Sequence, residues 1–158
     1  NVSIRKVTNA LTYNNIAETA DVRNEYEITA VGNWLGTDEL VTNGDFATDT
    51  DWSGAGWVIS GGQANAVALT SNLIQGGLPL SAGKSFVTKF TVSGYGAGEV
   101  RLRLTGAANN TGTIRAANGV YVETIVSTAG NNIVAVNPPS SFTGSIDNVS
   151  VKRLIEVA

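Results

Sequence analysis

The chain has 158 residues and a formal net charge of −3, with no His, Cys or Met. That length fits one domain with a true core, not two ordinary domains and a linker. The missing residue types exclude an imidazole base, a His-ligated metal, a thiol nucleophile, a disulfide framework and sulfur-bound zinc.

Charged residues are only 15% of the chain, hydrophobic residues 42%, and Gly numbers 18. Mean hydropathy is +0.06. This is a globular, turn-rich composition with polar but uncharged strand faces, and it predicts an all-β protein. A mildly acidic chain without a basic run predicts no nucleic-acid partner, because such binding rests on phosphate neutralisation. No stretch approaches 18 apolar residues and no signal segment opens the sequence, so a soluble protein without a membrane partner is expected. The lack of Met at position 1 predicts that the chain begins inside a longer or processed product.

In chain order, residues 2–7 and 26–31 read as strands. Residues 9–24 between them read as a short helix or an irregular arm. Two strands cannot close a core, so residues 1–38 either add to a sandwich or lie along a neighbouring protein. The second is preferred, and it divides the chain into an N-terminal arm (1–38) and a β-sandwich (39–158). Residues 39–52 carry Glu39, Asp45, Asp49 and Asp51 with no base. From there, short alternating runs separated by Gly, Asn and Ser turns predict a sandwich. The predicted strands are 57–60, 63–69, 84–93, 99–105, 120–127, 132–136 and 145–154. In 84–93, Phe86, Phe90 and Val92 share one face. In 99–105, Val100, Leu102 and Leu104 point one way and Arg101 and Arg103 the other. Gly94-Tyr95-Gly96-Ala97-Gly98 reads as a turn cluster, and Pro138-Pro139 as a break between strands.

Three groups of side chains invite chemistry. Treated as one regular strand, 145–154 places Asp147 on the apolar face with Val149 and Val151. A carboxylate there must be paired, hydrogen-bonded or on a metal; the alternative is that it accepts backbone N–H bonds at a bulge or sheet end. Asp49-Thr50-Asp51-Trp52-Ser53-Gly54 imitates half of an EF-type loop, but the acid needed at position 12 falls on Ser60, so an acidic turn is expected. Glycosidases need two carboxylates roughly 5–9.5 Å apart, and past Asp51 only Glu99, Glu123, Asp147 and Glu156 remain. Glu99 and Glu123 are read onto polar strand faces. Serine chemistry lacks its base. The expectation is a protein without catalysis.

Leu40-Val41-Thr42-Asn43-Gly44-Asp45-Phe46, Asp51-Trp52 and Gly56-Trp57-Val58-Ile59-Ser60-Gly61-Gly62 resemble the opening of the type 4/9 carbohydrate-binding-module jelly rolls. Phe142-Thr143-Gly144-Ser145-Ile146-Asp147-Asn148-Val149-Ser150-Val151 resembles their closing strand. The resemblance covers roughly residues 39–154 and implies a jelly-roll β-sandwich. It also implies a structural Ca²⁺ on Asn43, Asp45 and Asp147, and a sugar surface in which exposed aromatic rings stack on pyranoses. Tyr95, Tyr121 (on the polar side of its strand), Arg101 and Arg103 are the residues that would form it, with Trp52 and Trp57 as core or end plugs. The wording of residues 40–52 is similar to domains of bacteriophage virion proteins. That similarity implies a non-catalytic capsid decoration (cement) protein, or a tail or fibre component, located on the particle surface. Its partners would be the major capsid protein or other virion proteins, and its state a homo-oligomer, a trimer by analogy. The alternative is a carbohydrate-binding adhesion module whose partners are surface glycans.

Overall fold

The computed structural model describes residues 26–30 and 33–156. The strand expected at 2–7 and the segment 9–24 lie outside the described residues, as does any contact they make. Among the described residues there are nine strands and no helix. β1 (Tyr26–Ala30) and β2 (Asn33–Glu39) form an antiparallel pair, with Tyr26 opposite Gly36 and Ile28 opposite Trp34.

Glu39–Arg153 form a compact unit of their own, a β-sandwich. It contains β3 (Val58–Ser60), β4 (Gln63–Leu69), β5 (Leu73–Gly76), β6 (Ser85–Gly106), β7 (Asn110–Thr111), β8 (Gly119–Val126) and most of β9 (Asn131–Glu156). β6 and β9 pair antiparallel along nearly their whole length, from Phe86 opposite Arg153 to Gly106 opposite Asn131. Together they form a ribbon that serves two layers. In the first layer the N-terminal half of β6 pairs with β8, and the C-terminal half of β9 pairs with β4, which pairs with β3. In the second, the C-terminal half of β6 pairs with β7, and the N-terminal half of β9 with β5.

The two-residue alternation of a strand explains the core. Phe86, Thr88, Phe90 and Val92, then Val100, Leu102 and Leu104, all even-numbered positions of β6, are buried. β9 answers with Val134, Val136, Phe142 and Ile146. Phe46, Trp52, Leu73, Leu78 and Leu80 fill the ends. Complete burial of a large apolar side chain favours the fold by roughly 1.5–3 kcal/mol each.

Where the sequence suggests two breaks, the ribbon runs on. The Gly-rich cluster and Pro138-Pro139 are both inside strands, at the point where the ladder slips its register between Ala97 and Arg101. Arg101 faces Asn137 and Glu99 faces Ser140, so the two prolines fall in a bulge, where a missing N–H costs no ladder bond. Gly98 makes this crossing feasible. Its φ is +82°, and a Cβ there would run into the carbonyl oxygen of Ser141.

β5 and β7 are strands that alternation does not reveal. β5 has four residues and buries Gln75 between apolar neighbours; β7 has two. Gln75 is buried because it pins a loop: its amide donates to the carbonyls of Thr42 (2.7 Å) and Asp51 (3.3 Å), and its oxygen accepts the N–H of Thr42 (2.8 Å).

Candidate functional site

The outward side of the second layer gathers the polar groups of interest. Residues directly opposite in an antiparallel ladder share a face, so the register assigns its occupants. One row reads Thr111, Arg103, Ala135 and Ile74 across β7, β6, β9 and β5. The next holds Arg101 opposite Asn137. There the Arg101 Nε donates to Asn137 Oδ1 at 2.9 Å, and Asn137 Nδ2 donates to Asn72 Oδ1 at 2.9 Å. A guanidinium and two carboxamides thus form a hydrogen-bonded polar row across β6, β9 and the residue that precedes β5. Asn137 is only 7% exposed and Ala135 fully covered although both lie on an outward face.

Arg103 is half-buried, and its Nε is buried with no hydrogen-bond partner. Burial first, and then the neighbouring positive charge of Arg101, pushes its pKa below the usual arginine range. Among the described residues the only ion pair is Arg115–Glu123 at 2.8 Å, so neither Arg101 nor Arg103 is neutralised by a carboxylate there.

The two tyrosines expected beside these arginines are placed elsewhere. Tyr121 is not on a polar outer face. It sits opposite Phe90 on the inward side of β8, with ring centroids 5.5 Å apart, and its hydroxyl donates to Ala117 O. Val120, Val122 and Val126 take the outward side and are exposed. Glu123 is likewise turned inward. It accepts the N–H of Thr113 and pairs with Arg115, whose guanidinium lies 4.8 Å from the Tyr121 ring centroid. Facing inward, Tyr121 and Ile125 bury their apolar surface against β6, and Glu123 has Arg115 as its partner. Tyr95 is half-buried against Phe142 (6.5 Å), and its hydroxyl donates to Gly98 O at 3.0 Å. Trp52 and Trp57 are packed against Phe46 and Phe142, and their indole N–H groups donate to Asn43 O and Ser71 O. Among Glu39–Arg153 the exposed large hydrophobic side chains are Val58, Val67, Ile114, Val120, Val122 and Val126.

The side chains expected to hold calcium make hydrogen bonds within their own turns. Asn43 Nδ2 donates to the carbonyls of Thr48 (2.8 Å) and Thr50 (2.9 Å), and its Oδ1 accepts the N–H of Thr48. Asp45 accepts the N–H of Ala47. At Asp147 the strand is not regular: Asn148 has φ +53° and the register slips, so Asp147 and Val149 fall on opposite sides. Asp147 then accepts the backbone N–H of Asn148 at 2.6 Å and its side-chain amide at 3.0 Å. Val149 N donates to Gly44 O, which seats the Asn43 loop beside this bulge. The Asn43 amide thus bridges the loop carbonyls of Thr48 and Thr50.

Asn72, Asn137, Thr111 and Ile74 are the members of the face that sequence reasoning leaves out. Asn137 carries a faint signal, since it falls in phase with Ile133 and Ala135. Its pairing with Arg101 follows only from the register across the Pro-Pro bulge.

Neither a family model nor a curated protein sequence matches this chain. Among solved structures, it is similar to the N-terminal cellulose-binding domain from Cellulomonas fimi β-1,4-glucanase C. The two are 14% identical with a TM-score of 0.51, over 73% of this chain and 95% of that one. The second N-terminal cellulose-binding domain of the same enzyme gives 18% identity and a TM-score of 0.49, over 76% and 95%. A family 29 carbohydrate-binding module gives 10% identity and 0.47, over 75% and 83%. At such identities the likeness is one of fold: this chain has the β-sandwich of the carbohydrate-binding modules.

Proposed function

We propose that Glu39–Arg153 is a non-catalytic carbohydrate-binding module, and that its binding face is the outer side of the second layer. The observation that carries this reading is the hydrogen-bonded row Arg101–Asn137–Asn72, set on a sandwich of the cellulose-binding-domain type. Sugar hydroxyls both donate and accept, and a row of planar amide and guanidinium groups supplies both partners in fixed positions. Ile74 and the stem of Arg103 offer apolar contact for the C–H side of a ring. Recognition works by replacing hydration, with no bond made or broken.

Affinity electrophoresis of the full chain through gels containing cellulose derivatives, xylan, pectin or other soluble polysaccharides tests the reading. Retardation by at least one polysaccharide, without release of new reducing ends, is expected. Retardation by none of them, or steady release of reducing ends, contradicts it.

A second reading is a protein-binding role in a bacteriophage particle, such as capsid decoration. It is favoured by the resemblance of residues 40–52 and by the outward row Val120, Val122 and Val126 on β8, 63%, 58% and 50% exposed. Apolar surface of that kind suits a neighbouring virion subunit. A chain retarded by no polysaccharide would favour this reading.

A further inference from the structure

Arg101 and Arg103 alternate along β6 and so project to the same side, roughly 7 Å apart along the strand. Every residue that the ladder places opposite them is neutral: Asn137 for Arg101, and Ala135 and Thr111 for Arg103. Glu99 precedes Arg101 by two positions, but the register slips between them, and no ion pair joins it to either arginine. Two like charges on one half-buried face repel each other, and nothing within the described sandwich repays that repulsion.

The arginines also differ in how they are held. Arg101 is oriented through Nε by Asn137, which is itself held by Asn72. Arg103 has a buried Nε without a partner. That Nε is closed to an incoming ligand, so an anion meets the outer nitrogens of the Arg103 fork, where a charge-assisted hydrogen bond is strong. The planar guanidinium fork matches carboxylate and sulfate oxygens better than an ammonium does.

We propose that this face recognises an anionic polysaccharide, with Arg101 and Arg103 receiving the acid groups of the chain and Asn72 its neutral hydroxyls, while the buried Asn137 orients Arg101 and Asn72. The proposal rests on the carbohydrate-binding reading above and names its ligand class. Uronate carboxylates and sulfate esters share the required chemistry. The two positive charges then have their counter-charge.

The test is titration calorimetry of the full chain with polygalacturonate, its fully methyl-esterified form, a sulfated galactan, cellohexaose, and polyphosphate as a polyanion without sugar. Polygalacturonate or the sulfated galactan is expected to bind, and which of the two is tighter identifies the acid group. Against the neutral ligands affinity should fall by about tenfold or more, the scale of one charge-assisted hydrogen bond. Arg103→Gln should lose a similar factor and Arg103→Lys less, since charge is kept and the fork lost. Unchanged thermal unfolding would show that both variants fold. Equal binding of charged and neutral glycans, with Arg101→Gln and Arg103→Gln silent, overturns the proposal while the carbohydrate reading stands. Equal binding of polyphosphate also overturns it. No binding of any glycan removes the carbohydrate reading itself.

Discussion

Phe142→Ala is expected to lower the stability of the sandwich by about 3–5 kcal/mol, the range for deleting a fully buried ring. Phe142 is completely buried on β9, just after the Pro-Pro bulge, where the ribbon passes from one layer to the other. Its ring lies 6.3 Å from Trp57 and 6.5 Å from Tyr95, so its loss also frees two half-buried aromatic neighbours. Domains of this size hold only about 5–15 kcal/mol in total. Thermal unfolding should therefore fall by roughly 10 °C, and Phe142→Leu, which refills much of the space, should cost less. An unchanged midpoint for the alanine variant would mean that the crossing point is not packed as described.

Asn43→Ala is expected to cost about 2–4 kcal/mol, from two separable sources. One is backbone conformation: Asn43 has φ +52°, which asparagine tolerates and alanine resists. The other is the loss of the amide that ties Thr48 and Thr50 together. Asn43→Gly removes the side chain but accepts the dihedral angle, so the difference between the two variants isolates the strain, about 1 kcal/mol. Trp52 reports the loop directly, because its indole N–H donates to the Asn43 carbonyl at 3.0 Å. Its fluorescence should shift in both variants before global unfolding. A loop that melts no earlier in Asn43→Ala than in the parent chain would show that the amide is not its organiser.

Much of the fold was legible from residues alone because alternation is a local property. Phe86, Phe90, Val92, Val100, Leu102 and Leu104 announce their faces without reference to any partner strand, and the all-β sandwich follows from such runs. What was not legible depends on register. The Asn148 bulge turns Asp147 away from the face of Val149, and no single-strand pattern marks where a residue will take φ +53°. On β8, Val-Tyr-Val-Glu-Thr-Ile-Val can be read with either face inward. Pairing with β6 and the Arg115–Glu123 ion pair decide it, and neither is visible within the strand. Gly-rich and Pro-Pro segments were read as breaks because their usual effect is to end a strand. Here the prolines fall in a bulge opposite Val100 and Gly98 lies opposite a second slip at Ser141-Phe142, so the ribbon continues.

The candidate face was half legible for the same reason. Arg101 and Arg103 stand out on the polar side of a clear strand. Asn137 is brought in from 36 residues beyond Arg101, and Asn72 reaches Asn137 from 65 residues earlier in the chain. Tyr95 and Tyr121 look available in sequence because tyrosine suits surfaces. In the structure their hydroxyls satisfy backbone carbonyls of nearby turns and their rings complete the core edge.

The outer side of β5, β6 and β9 is the proposed glycan-binding face. Backbone amide chemical shifts of the full chain, followed during titration with oligogalacturonate and then with cellohexaose, test it most directly. The amides of Asn72 to Gln75, Arg101 to Leu104 and Ala135 to Asn137 should move together to saturation, more strongly with the acidic oligomer. Shifts confined to Val120, Val122 and Val126 on β8, or no shifts with either sugar, would contradict it.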